Sequence, residues 1–243
     1  MTLPTVPVTA PPANPLPHGL FDAATITDEA LSRHIGGITL TSPNQGGHGH
    51  WPTVCPTPDD TPDKTGQRPT PEDFASTIVW AVDECKTVGI TDEEAQARAA
   101  HLLRLTAPVD VEKFAAEQLL TITPATAVSS VADALEVIED ALGEAGYPGV
   151  VHARRGLIAQ IDSRLIVRQG GVLYTPGGHR WVFGSGYGAL ENTLVATGPV
   201  MIRRGSVVTG MSFDRVTNTR AALAERVITV GWESPTLAVP VNR

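Results

Sequence analysis

A chain of 243 residues with 42% hydrophobic content is long enough for one large domain or two small ones around a sizeable core, and with 5% aromatics that core rests on Ala, Val, Leu and Ile. The formal net charge of −8 excludes a basic surface that coats nucleic acid, because phosphate binding needs clustered Lys and Arg. Cys55 and Cys85 make no disulfide framework, and neither a secretory leader nor a ~20-residue apolar membrane span is legible, so the expectation is a soluble protein made in a reducing cytoplasm.

Prolines at positions 4, 7, 11, 12, 15 and 17 forbid helix and sheet interior, which predicts an extended N-terminal arm over residues 1–36. Residues 37–70 are rich in Gly, Pro, Thr and Asp and read as a long extended loop, with Ile38–Thr41 as one strand of a hairpin. Phe74, Ile78, Val79 and Val82 fall at helical spacing, which predicts a helix over Asp73–Val88 ended by Gly89. Thr91 with Glu94 is a capping box that opens a helix of ~25–30 residues. Its stripe is Ala95, Ala99, Leu102, Leu103, Leu105, Val111, Phe114, Ala115, Leu119 and Leu120, and Pro108 bends or restarts it.

Ser130 with Asp133 opens another helix, with Val131, Leu135, Ile138 and Leu142 inward and Gly143 or Gly146 closing it. Val150–His152 reads as a strand, Arg154–Ile161 as a short helix, and Leu165–Arg168 with Val172–Thr175 as a hairpin across Gln169-Gly170-Gly171. Strands follow at Arg180–Phe183, Leu194–Ala196 and Val200–Arg203, with Gly184–Gly188 as a flexible Gly-rich tip. Arg215–Asn242 reads as one long closing run, with Ala222, Ala224, Arg226, Ile228, Val230 and Trp232 on one face.

No catalytic, cofactor-binding or metal site emerges. His48, His50, Trp51, Cys55, Asp59 and Asp60 carry zinc-ligand chemistry, but their spacing matches no zinc pattern and they read as a loop or contact surface. Cys85 has Glu84 beside it, the wrong sign for a nucleophile, and reads as a buried small apolar residue. Gly184–Gly188 lacks the Gly-Lys-Ser/Thr ending of a phosphate loop. Asp133, Glu136, Glu139, Asp140 and Glu144 lie opposite an apolar stripe and read as a solvated face. His152, beside Arg154 and Arg155, has no nucleophile near it in the sequence. Arg220, Glu225 and Arg226 are expected in ion pairs between elements or subunits.

The order of arm, loop, long helix, helix with small mixed sheet and final strand resembles the tailed-phage major capsid and encapsulin fold, an α+β architecture. The resemblance rests on the segments GVVHARRGLIAQI, GGVLYTPGGHRWVFGSGYG, TLVATGPVMIRRGS and TRAALAERVITVGWESPTLAVPV. It implies an arm (1–36), an extended loop (37–70), a peripheral domain with the spine helix (71–126), an axial domain (127–200) and return strands of the peripheral domain (201–243). It also implies a structural, non-enzymatic subunit of a phage shell enclosing double-stranded DNA, assembled in the host cytoplasm. Its partners would be many copies of itself, with portal, scaffolding or decoration proteins. Alternatives are an encapsulin-like compartment, a head–tail or decoration protein, or, from another class, an enzyme using His48 or His152. Some relatives crosslink through a loop lysine, and Lys64 lies in the corresponding loop, with nothing further in the sequence to support that chemistry.

Overall fold

The computed structural model describes residues 9–31, 35–51, 53, 63–86 and 90–242. Among the described residues the strands form two six-stranded sheets. The first has the order β1 (Thr25–Asp28), β9 (Val200–Arg204), β11 (Thr219–Trp232), β3 (Glu72–Lys86), β2 (Gly37–Leu40), with β10 (Val208–Asp214) beside the distal half of β11. The second has the order β12 (Leu237–Pro240), β8 (Thr193–Thr197), β4 (Val150–Arg154), β7 (Arg180–Gly184), β6 (Val172–Tyr174), β5 (Val167–Gln169). Among the described residues three α-helices accompany the sheets: the single turn α1 (Leu20–Ala23), the spine α2 (Asp92–Leu119) and α3 (Val131–Ala145).

Residues 72–86 form a strand, where helical spacing predicts a helix. The apolar residues Ile78, Val79, Ala81 and Val82 are nearly continuous, so they satisfy either period. β11 decides the matter by pairing antiparallel along Ser76–Lys86, and the β-branched Thr77, Ile78, Val79 and Val82 suit the pleated surface. Gly89, expected as the stop, lies outside the described residues.

The spine helix is capped as expected, the Thr91 hydroxyl accepting the Glu94 N–H at 3.2 Å. It runs unbroken through Pro108 for 28 residues. Its buried stripe is Ala95, Ala99, Leu103, Ala107, Val111, Glu112, Ala115, Ala116 and Leu119; Leu102 and Leu120, expected inside, are exposed. Alanines of the helix and Ala81, Ala222 and Ala224 of the sheet belong to one core, so helix and sheet meet through small side chains. Ser130 caps α3, and Gly146 closes it at φ 77°, a left-handed position that costs glycine nothing.

The second sheet shows strict alternation. Val150, Val182, Val195 and Ala238 face the core of the spine helix. Val151, Ala153, Trp181, Phe183, Leu194, Ala196 and Val239 face the core around α3. The hairpin at β5–β6 turns on Gly170 and Gly171, both at positive φ, as expected.

The closing run is two strands in two sheets. Thr219–Trp232 sits between β3 and β9 in the first, and Leu237–Pro240 forms an edge of the second. The last strand, Leu237–Pro240, therefore joins the second sheet and not the first. A break at Glu233–Thr236 carries the chain between sheets. Strand β10 was not expected from the sequence. The arm is also more structured than its prolines suggest: residues 9–16 carry no helix or strand and lie exposed, but Leu20 is fully buried and Thr25–Asp28 pairs parallel with β9.

Candidate functional site

Two features stand out: a buried polar seam where arm, spine and second sheet meet, and an exposed apolar ribbon on the first sheet.

The seam is built around Glu112, which sits on the apolar stripe of α2 and is only 2% exposed. One carboxylate oxygen accepts the Leu20 N–H at 2.9 Å and the other the Gly186 N–H at 2.8 Å. Burial pushes its carboxyl above the ordinary range, opposed by the backbone N–H groups of Gly186, Leu20 and Ser185 and by the charge of Arg155. Gly184–Gly188, expected as a flexible tip, is instead seated against the spine helix. A side chain at Gly186 would come 2.2 Å from the Val109 carbonyl, and one at Gly184 would strike the Tyr187 ring at 2.5 Å. The glycines serve close approach. The signal for Glu112 was present in the sequence, as a carboxylate in register with Ala115, Ala116 and Leu119.

His152 is fully buried next to this seam. The Thr197 hydroxyl donates to the Gly198 carbonyl at 3.0 Å, so its oxygen accepts from His152 Nε2–H at 3.0 Å. Nδ1 is then the acceptor of the Tyr187 hydroxyl at 2.9 Å. The ring is neutral, with its pKa pushed down to about 3 by burial, not by the adjacent arginines. Burial, and then the Glu112 charge, push the Tyr187 phenol well above its usual range. All three side chains are fully buried, and each polar atom of the ring and of the two hydroxyls has a hydrogen-bond partner.

The other candidates disperse. His48 borders an open cleft of about 290 Å³ with Asn44, Glu144 and Tyr147. His50 and Trp51 are exposed, with Lys64 4.8 Å above the Trp51 ring. Cys55, Asp59 and Asp60 lie outside the described residues. Among the described residues no three His, Cys, Asp or Glu are placed to hold a metal. Cys85 is half-buried in β3, not at a helix end. On α3, Glu136, Asp140 and Glu144 are exposed, but Glu139 departs from the solvated face: it lies 3.3 Å from His179 Nε2 and accepts the Gly177 N–H at 3.2 Å. Arg220 pairs with Asp92 at 2.6 Å and Arg226 with Asp28 at 3.4 Å. Asp28 also accepts from Arg204 at 2.7 Å, and Glu29 pairs with Arg203, so these arginines staple the arm to the first sheet.

The ribbon is β10–β11–β3. Trp80, Glu225 and Val208 stand in one cross-strand row, with Trp80 and Val208 each 61% exposed. Phe213 and Val216 near the β10–β11 turn are 55% and 87% exposed. Phe213 pairs with Arg220 and Cys85, five residues from the Val208 row, so it stands on the opposite face of the ribbon from Trp80 and Val208. The loop between β2 and β3 has two legs that touch where Gly47 meets Thr65–Gly66. Its base is tied down by Ser42 and Asn44 on Glu233, at 2.7 and 2.9 Å.

No protein-family model matches the chain, and no curated protein matches it. Solved structures do. One of Microbacterium phage Oxtober96 matches at TM-score 0.59 and 10% identity, covering 99% of this chain and 96% of that chain. The capsid of an empty GTA particle matches at TM-score 0.57 and 11% identity, covering 100% and 96%. The SrpI encapsulin of Synechococcus elongatus matches at TM-score 0.55 and 14% identity, covering 99% and 92%. From end to end, with its arm, two-legged loop, spine helix and paired sheets, the chain has the mixed α+β fold of tailed-phage major capsid proteins and encapsulins.

Proposed function

We propose that this protein is the major capsid subunit of a tailed bacteriophage, self-assembling into an icosahedral shell that encloses double-stranded DNA. The observation that carries this reading is the match over nearly the whole length of both chains to a phage structure and to a capsid. Trp80 and Val208, neighbours across one face of the ribbon and both largely exposed, support it as a place for subunit contact. So does the net charge of −8, which lets enclosed DNA move without adhering. The subunit's partners are then copies of itself, with portal, scaffolding or decoration proteins. Its place is the virion, after assembly in the host cytoplasm. It has no catalytic role.

The encapsulin match, nearly as good, favours a second reading: a compartment loaded with cargo protein. Electron microscopy of the purified chain tests the shared part, with closed particles expected and a stable monomer at high concentration counting against both. Particles made in a cell then separate the two. Nuclease-resistant DNA supports the phage shell; a co-purifying protein cargo without DNA supports the compartment.

A further inference from the structure

We propose that Glu112 is a latch coupling the seating of the N-terminal arm to the conformation of the Gly184–Gly188 turn that follows β7 of the second sheet. The coupling belongs to the single subunit and does not depend on the shell reading.

The geometry is that of one group holding two segments, Leu20 on one side and Ser185 with Gly186 on the other. Leu20 and Gly186 are far apart in sequence, yet their N–H groups end on the two oxygens of the same buried carboxylate. A group of opposite sign brackets the same two segments. The Arg155 guanidinium, in the turn after β4, donates to the carbonyls of Pro17 at 2.9 Å and Phe183 at 3.3 Å. A direct bond closes the circuit, Phe183 N–H to the His18 carbonyl at 2.9 Å. Residues 17–20 and 183–186 are thus held by a carboxylate, a guanidinium and each other.

Removing one segment changes what the other feels. If the arm lifts, Glu112 keeps a buried negative charge but loses the Leu20 donor, and Arg155 loses the Pro17 carbonyl. A buried carboxylate that has lost one of its donors is costly, so the side chain moves toward water and releases Ser185 and Gly186. Gly186 has no side chain to hold the turn in place, and its snug fit on the Val109 carbonyl depends on the backbone staying put. An arm that departs therefore loosens the turn that carries Tyr187, the donor to His152.

Hydrogen exchange of the full chain, followed by mass spectrometry, tests this. Leu20→Ala loosens the arm without altering the carboxylate. Peptides spanning 13–28 and also 183–190 should exchange roughly 10- to 100-fold faster, the size expected from losing a charged hydrogen bond, while peptides of α3 stay at the wild-type rate. Glu112→Gln, which keeps the volume but leaves one acceptor oxygen, should raise both segments together. Arg104→Ala, which frees only Ala13 and Asn14, should leave 183–190 unchanged. Should Leu20→Ala not fold, Leu20→Val gives the same reading at smaller amplitude. Faster exchange in 13–28 with 183–190 unmoved overturns the latch, and so does an equal rise in α3, which would mean global opening.

Discussion

At the scale of single residues, the buried polar side chains set the behaviour with pH. The His152 ring has an ordinary value of 6.5 and is held down to about 3, so below 6.5 the unfolded chain binds a proton that the folded one refuses. Stability from the neutral ring is complete above pH 6.5 and is lost toward about 3, at ~1.4 kcal/mol per pH unit. Glu112, with a raised value, acts oppositely: its contribution is present below the ordinary 4.5 and is lost as pH rises through its folded value. His152→Gln should flatten the acid limb of a urea-midpoint against pH plot; a slope matching wild type would show that the ring does not titrate this way. Reading these residues from sequence succeeds only where a local pattern exists. Glu112 interrupts a helical stripe and was legible in principle. His152 needs Thr197 and Tyr187, which only the folded sheet brings to it.

Elements were legible wherever both signals for them are local. The caps Thr91 and Ser130, the stripe of α3 and the Gly170-Gly171 turn lie within one or two turns of chain, and all appear as expected. Strand β3 was misread because its partner β11 lies far along the chain and its apolar run suits either period. The spine helix should lose ~1 kcal/mol with Thr91→Ala, measured as a lower urea midpoint at unchanged slope. The ribbon gives a contrasting expectation. Phe213→Ser and Trp80→Ser should each shift monomer stability by no more than about 0.5 kcal/mol, because both side chains are exposed, yet reduce particle yield in sedimentation. Equal loss of stability and yield would place them in the fold instead of at a contact.

For the whole molecule, the order of parts was readable but their attachments were not. The sequence places an arm before a loop before a spine, and prolines announce the arm. It does not announce that Leu20 is buried or that Thr25–Asp28 joins the first sheet, because these are contacts with residues far downstream. Deleting residues 1–36 should therefore unfold the subunit as well as stop assembly, removing a leucine worth ~2 kcal/mol and an edge strand. Deleting 1–12 removes neither and should leave the thermal midpoint unchanged while particle yield, followed by light scattering, falls; unchanged particles would show that this stretch has no part in assembly.

Strands β11 and β12 follow every other strand in the chain, yet one fills the middle of the first sheet and the other an edge of the second. A ribosome therefore delivers the central strand of the first sheet and an edge of the second after the strands they pair with. Until it does, β3 and β9 have nothing between them, and β10 has no neighbour.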